Sequence, residues 1–150
     1  WGFHPNWSQN RLNIINARSE TLHYKSSFKN TLKCVFIADG YYEWNNDKGY
    51  KRPFYHYLKS GFLYFAGIYS TNSGCCIVTS KSHTSISHIH ERQPMLLLEK
   101  DIKSWLNNSY DLSKINSIDL TVHEVNTKVN NPTNNDKNII NPIDNNLYKN

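Results

Sequence analysis

The chain has 150 residues, 38% of them hydrophobic and 13% aromatic, and a formal net charge of +5. We expect residues 1–150 to form one domain with a substantial core, and the charge favours an acidic partner such as nucleic acid. The longest uncharged apolar stretch, residues 62–69, is too short to cross a membrane. The three cysteines, Cys34, Cys75 and Cys76, contain no CxxC pair. This pattern favours a reducing compartment and argues against both a disulfide framework and a thiolate zinc site.

Seven apolar runs separated by turn signals predict a largely antiparallel sheet. Asp39-Gly40 predicts a tight turn after the first run, and residues 45–49 predict a polar hairpin loop. Spacing this regular indicates an α+β, mainly β fold of barrel or sandwich type. The predicted strands, in chain order, are residues 34–38, 41–44, 53–58, 63–69, 75–79, 95–98 and 120–125.

Helix signals are few. Residues 20–32 predict one short helix, because their apolar residues lie loosely on one side. Residues 101–106 give a stronger signal and predict a helix that turns Trp105 and Leu106 toward the core. The asparagine-rich residues 126–150 predict irregular coil, packed on the domain or trailing from it.

Asn16 and Arg18 end a short apolar run. Because side chains alternate along a strand, they would share one face of it. A guanidinium fork fits a phosphate, and an amide can orient a reactive group, so the two residues are candidates for binding and catalysis. A strand end followed by a satisfied turn is the ordinary alternative.

Glu43 lies between Tyr42 and Trp44 in a predicted strand. Aromatic neighbours would keep water from its carboxyl group and raise its pKa, which suits a general acid. A solvent-facing glutamate on an ordinary strand is the alternative.

His88 and His90 would place two imidazoles on one strand face, a pattern that suggests a metal site. No third ligand of fitting spacing stands out, so we expect no metal and no cofactor. His90 as a proton carrier, followed by Arg92 as an anion clamp, is the better functional interpretation. For His88, the remaining interpretation is a loop histidine whose ring is satisfied by hydrogen bonds.

Trp1 and Trp7 interleave with polar residues, and Arg11 and Arg18 follow in the sequence. Such a strip can stack unpaired bases above a basic groove. Packing in the core explains one of these tryptophans equally well.

In this order, the clusters resemble those of the SRAP family, also called SOS response-associated peptidases or abasic-site processing proteins. The match spans nearly the whole chain. It rests on Trp1-Gly2 with Pro5 and Trp7, Asn16-Ala17-Arg18-Ser19-Glu20-Thr21, Cys34 ahead of Ala38-Asp39-Gly40-Tyr41-Tyr42-Glu43-Trp44, Pro53-Phe54-Tyr55, Phe65-Ala66-Gly67-Ile68, Ile77-Val78-Thr79, Ile89-His90-Glu91-Arg92-Gln93-Pro94, Trp105-Leu106 and Ile140-Asn141-Pro142-Ile143.

The resemblance implies an SRAP-like barrel that binds abasic sites in single-stranded DNA during the DNA damage response. In that family an N-terminal cysteine, exposed by removal of the initiator Met, forms a Schiff base with the sugar aldehyde and closes a thiazolidine. By resemblance Asn16 lies near the attacking amine, Glu43 is the acid/base carboxylate and His90 assists. The positions that match the family's DNA site are Trp1, Gly2, Arg18, Trp44, Thr79 and Arg92.

The chain departs from the family at its start, which is Trp1 rather than Met-Cys-Gly-Arg. We therefore expect an N-terminally truncated SRAP domain whose first strand or strands are missing. Cys34 matches a structural position, and all three cysteines lie in predicted strands, where burial raises a thiol's pKa and lowers its reactivity. Gln93 replaces a methionine or arginine, a change expected to be minor.

Two other functions fit the same residues. One is a noncatalytic module that binds single-stranded DNA, and the other is a peptidase limited to removing its own initiator Met. In each case we expect a monomer that binds no membrane. The expected location is the cytoplasm, at the nucleoid, in a prokaryote or virus-infected cell, and the nucleus in a eukaryote.

Overall fold

The computed structural model describes residues 1–8, 12–113, 116 and 118–143. Strands dominate these residues, and the α+β, mainly β class is confirmed. The bounds, numbered in chain order, are β1 (Gly2–Phe3), β2 (Asn16–Arg18), β3 (Leu32–Ala38), β4 (Gly40–Asp47), β5 (Tyr50–Tyr57), β6 (Leu63–Ser70), β7 (Gly74–Lys81), β8 (Arg92–Pro94), β9 (Leu96–Leu97) and β10 (Thr121–Glu124).

The larger sheet has seven strands and is built around β7. Strand β7 pairs with β1, β6 and β8 in antiparallel fashion and with β2 in parallel fashion. Its central residues, from Cys76 to Thr79, are buried, because the sheet is covered on both faces at this point. A nearly continuous apolar run is typical of such a doubly covered strand.

The smaller sheet has the order β10-β5-β4, all antiparallel. Strands β4 and β5 form one long hairpin that turns at Lys48-Gly49, where both residues have positive φ, 49° and 89°. A two-residue turn of this kind needs left-handed backbone, which glycine adopts readily. The predicted hairpin loop at residues 45–49 was therefore too long, since the strand continues through residue 47.

The described strands do not close into a barrel, so that part of the prediction was wrong. Among the described strands, β3 pairs only with β6, and β4 pairs only with β5. The chain bends at Asp39 and passes from one sheet to the other without pairing β3 to β4. The candidate site forms between the two sheets, beside this bend.

The main core covers one face of the larger sheet. Helix α1 (Ile102–Leu106) buries Trp105 there completely, and the Trp105 indole N–H donates to the Cys34 carbonyl at 2.8 Å. The prediction of this helix and of the buried Trp105 is confirmed. Leu106 was expected to face inward but is 45% exposed, because the next residue of a helix points about 100° away.

The predicted helix at residues 20–32 is instead two 3₁₀ helices, Ser19–Thr21 and Ser26–Phe28. Leu22 and Phe28 both enter the core. Six positions apart, they would point to different sides of one α-helix, and two separate turns let both pack. Among the described residues, no helix is long and apolar enough to span a membrane.

The tail is more ordered than predicted. Two 3₁₀ helices, Thr127–Asn130 and Lys137–Ile140, begin after Asn126 and Asp136. Each of these side chains accepts a hydrogen bond from the backbone N–H two residues later, the usual role of Asn and Asp at a helix start. Of the predicted coil, residues 144–150 lie outside the described part of the chain.

Candidate active site

A cavity of about 890 Å³ opens between the two sheets beside the bend at Asp39, and residues of β2, β3, β4, β6, β7 and β8 line it. Its floor is apolar and includes Phe36, Phe65 and Ile77, and polar groups gather at its rim. Eight of the nine sequence-predicted site residues line it. They are Trp1, Asn16, Arg18, Glu43, Trp44, Thr79, His90 and Arg92.

Gly2 is the predicted site residue that does not line the cavity. It pairs with Cys75 in the sheet, and a Cβ there would meet the Oδ1 atom at the end of the Asn13 side chain. Trp7 is 61% exposed, and Arg11 lies outside the described residues.

Strand β2 presents Asn16 and Arg18 to the cavity. Ala17 between them is 1% exposed in the core, so its two neighbours point the other way. The prediction that they share a strand face is confirmed. Among the described residues, no acceptor is hydrogen-bonded to the Arg18 guanidinium, so it presents an unneutralised positive charge to the cavity.

Glu43 lies on the open edge of β4 with its side chain 25% exposed. Its Oε1 atom accepts a hydrogen bond from the Trp44 backbone N–H at 3.2 Å. Burial raises the pKa of the carboxyl group, and the Trp44 N–H and nearby His90 oppose this rise only in part. The predicted direction of the shift is confirmed, and such a carboxyl group keeps its proton to higher pH than usual.

His90 lies on a turn-rich segment between β7 and β8, with its Nδ1 atom 3.9 Å from Glu43 Oε2. The same Nδ1 is 3.1 Å from the Arg92 backbone N–H nitrogen and 3.0 Å from the Arg92 carbonyl oxygen. In neutral His90, Nδ1 can accept from this N–H while Nε2 carries the proton. In the imidazolium form, Nδ1 can donate to the carbonyl or toward Glu43. Nδ1 can therefore gain or lose a proton without losing a partner.

The expectation that His88 and His90 lie on one strand face was wrong, because residues 84–89 form turns. His88 is exposed, and its carbonyl accepts a hydrogen bond from Asn45 Nδ2 at 2.6 Å. Among the residues with described positions, no group of three or more His, Cys, Asp or Glu side chains could hold a metal ion.

Arg92 is already paired within the cavity wall. Its guanidinium donates to both carboxylate oxygens of Glu20, at 2.6 and 3.0 Å, and to the Thr79 carbonyl at 2.7 Å. The Arg92 hydrogen bond is the largest cause of the lowered pKa of Glu20. The positive charge that was predicted to clamp an anion is thus largely balanced by a carboxylate.

Sequence reasoning missed Asn45, which it placed in a loop. Asn45 lies on β4 two positions after Glu43, and side chains two positions apart share a strand face. Its bond to His88 ties the turn segment that carries His90 to the strand that carries Glu43. The alternation of strand residues would have revealed this position had the strand been predicted to continue.

A second cavity, of about 590 Å³, adjoins the first. Glu43, Trp44 and His90 line both cavities. The second is bounded further by Asn46, Lys51, Val129, Asn130 and Pro132, from the β4–β5 hairpin and the C-terminal segment. None of these five residues was predicted, because the tail was interpreted as coil and the hairpin tip as a solvated surface.

Comparison with known proteins places these features in a family context. A family model described as SOS response associated peptidase (SRAP) matches residues 1–132. The abasic site processing protein YoqW of Bacillus subtilis (strain 168) is 35% identical over 164 residues, covering 93% of this chain and 73% of that protein. The abasic site processing protein HMCES of Mus musculus is 31% identical over 196 residues, covering 96% of this chain and 56% of that protein.

Solved structures share the fold. A crystal structure of a protein from Bacteroides thetaiotaomicron matches with a TM-score of 0.78 and 22% identity, over 95% of this chain and 75% of that one. A second, from Bordetella bronchiseptica, matches with a TM-score of 0.70 and 20% identity, over 84% of this chain and 75% of that one.

Proposed function

The chain belongs to the SOS response associated peptidase (SRAP) family, and from that premise we propose that it recognises abasic sites in single-stranded DNA. Relatives at 31% to 35% identity carry the name abasic site processing protein. The observation that carries the proposal is the position of Asn16, Glu43 and His90 around one cavity, next to Arg18, whose guanidinium has no bonded acceptor among the described residues.

An abasic site fits this cavity for a physical reason. The lesion lacks a base and exposes a sugar that opens to an aldehyde, while its phosphates remain charged. Arg18 supplies a bidentate partner for a phosphate, and Phe36 and Phe65 offer an apolar surface to the sugar. DNA that carries an intact base at this position must fit the base into the same cavity as well.

The proposed reaction joins an amine and a thiol to the sugar aldehyde. The amine adds to the carbonyl carbon, the resulting hydroxyl leaves as water, and a Schiff base forms. The thiol sulfur then adds to the same carbon, its proton passes to the nitrogen, and a thiazolidine closes with one water released overall. Glu43, which stays protonated to higher pH than usual, can give its proton to the departing hydroxyl. His90 can take and return a proton beside it, and Asn16 can orient the amine.

The nucleophile in this proposal is the N-terminal cysteine of the family and none of the three cysteines in this chain. Cys34 lies in β3, and Cys75 and Cys76 lie in β7. Burial raises the pKa of Cys34 to about 11 and that of Cys76 to about 12. The predicted rise is confirmed for these two thiols, and a thiol that holds its proton this firmly is a poor nucleophile at neutral pH.

The proposal is tested with the protein in a form that carries the family's N-terminal cysteine, called the intact protein below. The substrate is a single-stranded oligonucleotide from which one uracil has been excised. We expect a heat-stable protein–DNA adduct, visible as a shifted band on a denaturing gel. Glu43→Gln should slow the adduct by about a hundredfold or more, the usual effect of losing a general acid. An intact protein that forms no adduct would contradict the covalent proposal.

A noncatalytic single-stranded DNA module is the second candidate, favoured by the unpaired Arg18 and the exposed Trp1 at the same cavity. The two candidates differ at Glu43. A binding module should form no adduct and should bind equally well as wild type and as Glu43→Gln, whereas the crosslinking protein should keep its affinity in Glu43→Gln and lose its rate of adduct formation.

A further inference from the structure

The outward face of the smaller sheet carries four neighbouring aromatic rings, Tyr42, Tyr55, Tyr57 and His123, which we call the tyrosine patch. In the register, Tyr42 and His123 lie opposite Tyr55 on its two sides. Tyr57 follows Tyr55 by two positions on the same strand face. The ring centroids of neighbouring pairs are 5.3 to 6.0 Å apart, which is contact distance for aromatic rings.

The patch faces away from the core. The alternate residues Tyr41 and His56 point to the opposite face, where Tyr41 stacks on His56 and meets Phe65 of the larger sheet edge to face. Three of the four patch rings are partly exposed, and Tyr55 is nearly buried. Aromatic side chains on a surface are enriched where proteins contact one another, so this face is a candidate interface.

A single carboxylate lies beside the patch. Asp39 is exposed and directly precedes Gly40, where a Cβ would collide with the hydroxyl end of the Tyr55 ring. After burial, the charge of Asp39 is the next cause of the raised pKa of Tyr42 and of Tyr55. Both observations indicate that the carboxylate is close to these two rings.

The polar groups of this surface have no partner within the part of the chain that the structure describes. There, no cation or donor is bonded to the Asp39 carboxylate, and the hydroxyl groups of Tyr42, Tyr55 and Tyr57 form no hydrogen bond. These hydroxyls keep contact with solvent, unlike the buried Tyr41 hydroxyl. A negative charge and three hydroxyl groups thus adjoin one aromatic surface, on a chain whose net charge is +5.

We propose that the tyrosine patch and Asp39 bind an arginine side chain of a protein partner. The planar guanidinium would stack on an aromatic ring while its N–H groups donate to the carboxylate. Arginine does both, because it stacks on aromatic faces and carries a fork of donors that matches a carboxylate. A lysine ammonium lacks the plane and the fork, so arginine fits this surface better.

The position of the patch leaves the candidate active site free. Tyr42 and Glu43 are consecutive on β4, so their side chains point to opposite faces of the strand. A partner bound to the patch would therefore touch the strand that carries Glu43 from its other side. DNA carries no guanidinium, and the inference does not rest on the proposed function.

Three capped tripeptides test the inference, each with glycine at both ends and arginine, lysine or glutamine in the middle. Binding is followed by NMR through the backbone amide resonances of the protein, at about 0.1 M salt, where exposed charges are partly screened. The arginine peptide should shift amides of β4, β5 and β10 at the patch. The lysine peptide should bind about threefold more weakly, and the glutamine peptide should not bind.

Substitutions locate the contact. Asp39→Asn keeps the shape of the side chain and removes its charge, so it should weaken binding of the arginine peptide by about fivefold. Tyr57→Leu removes a ring and should weaken it by about threefold, whereas Tyr57→Phe keeps the ring and should retain most of the affinity. Glu91→Gln is the matched control, because it removes a charge from an exposed residue outside the patch, and it should change nothing.

The inference is rejected if the arginine and glutamine peptides bind equally well, or if Asp39→Asn binds as the wild type does. Asp39→Asn decides the question even if Tyr57→Leu does not fold. A dimer that Asp39→Asn abolishes would also reject a separate partner, since a second copy of this chain would then supply the arginine. None of these results bears on abasic-site recognition, which the adduct assay tests separately.

Discussion

Two arginines reach the same cavity from the two sides of β7, but their surroundings differ. Arg92 on β8 is bonded to Glu20 and Thr79, whereas Arg18 on β2 has no bonded acceptor among the described residues. A guanidinium neutralised by a carboxylate attracts phosphate weakly, and an unpaired one keeps its full field. The same residue type therefore serves two purposes, with Arg92 bracing the wall and Arg18 available for a bound anion, which in the proposed function is a DNA phosphate.

The largest effect expected from this contrast is on stability. Arg92→Ala should lower the free energy of unfolding by about 2 kcal/mol, because it removes charge-assisted hydrogen bonds and leaves the buried Thr79 carbonyl without this donor. Arg18→Ala should change it by less than about 0.5 kcal/mol, as is usual for an exposed side chain without partners. Urea denaturation of both variants gives the comparison, and equal losses would contradict it.

For DNA binding we expect the opposite order, with a larger loss of affinity in Arg18→Ala than in Arg92→Ala. Arg18→Ala should weaken binding of single-stranded DNA by about tenfold and reduce the slope of log affinity against log salt by about 1. Arg18→Lys should recover much of the salt slope but less of the affinity, since an ammonium group cannot form the bidentate contact. Measuring DNA affinity as a function of salt concentration separates the change in salt slope from the change in affinity. An unchanged slope in Arg18→Ala would remove Arg18 from the phosphate contacts.

A smaller effect should follow from loosening the segment that carries His90. Asn45→Ala removes the amide that donates to the His88 carbonyl without adding a charge beside Glu43, and it should cost about 1 kcal/mol of stability. Because His90 would then move relative to Glu43, adduct formation should slow by about fivefold and its pH profile should shift. Asn72→Ala, at an exposed turn, is the matched control and should change neither. A slower rate with an unshifted profile would mean that Asn45 acts only through stability.

The long strands β3, β6 and β7 of the larger sheet could be predicted from sequence because their signal is local, whereas the short strands β1, β2 and β8 were not among the predicted strands. Apolar runs such as residues 75–79 are continuous, and their boundaries fall at turn residues. Pairing is not local. The sequence does not state that β2 would lie parallel to β7, or that β3 and β4 would belong to different sheets. These long-range choices create the cavity, so its shape could not be predicted from the runs alone.

The site residues divide in the same way. Asn16, Glu43 and His90 stand out as polar groups in apolar surroundings, and the family resemblance predicted that they would meet. Asn45, Lys51 and Asn130 carry no such local signal, because an exposed Asn or Lys in a hairpin or tail looks like an ordinary solvated residue. Only the hydrogen bonds from Asn45 to His88 and from Trp44 to Asn130 distinguish two of them, and each bond joins residues distant in sequence.

The weakest effect expected is the pH dependence of stability that Glu43 causes. It compares the carboxyl group on β4 with the arginines on β2 and β8. Burial raises the pKa of Glu43 in the folded protein above its usual value. The folded state therefore holds this proton more tightly than the unfolded state, and the resulting stabilisation is complete below the usual carboxyl pKa and is lost as pH rises through the raised value. Glu43→Gln cannot ionise, so it should not lose this stabilisation as the pH rises.

Above the raised pKa, Glu43→Gln should thus be more stable than the wild type, and the difference should shrink on going to pH 4. Glu20→Gln is the matched opposite, because Arg92 lowers the pKa of Glu20. The stability that Glu20 provides is present above the usual carboxyl pKa and is lost as pH falls through the lowered value, so Glu20→Gln should be less stable than the wild type at neutral pH. Urea midpoints measured between pH 4 and pH 8 check both signs. If the two variants shifted in the same direction, the assignment of an acid on β4 and a permanent anion beside Arg92 would be wrong.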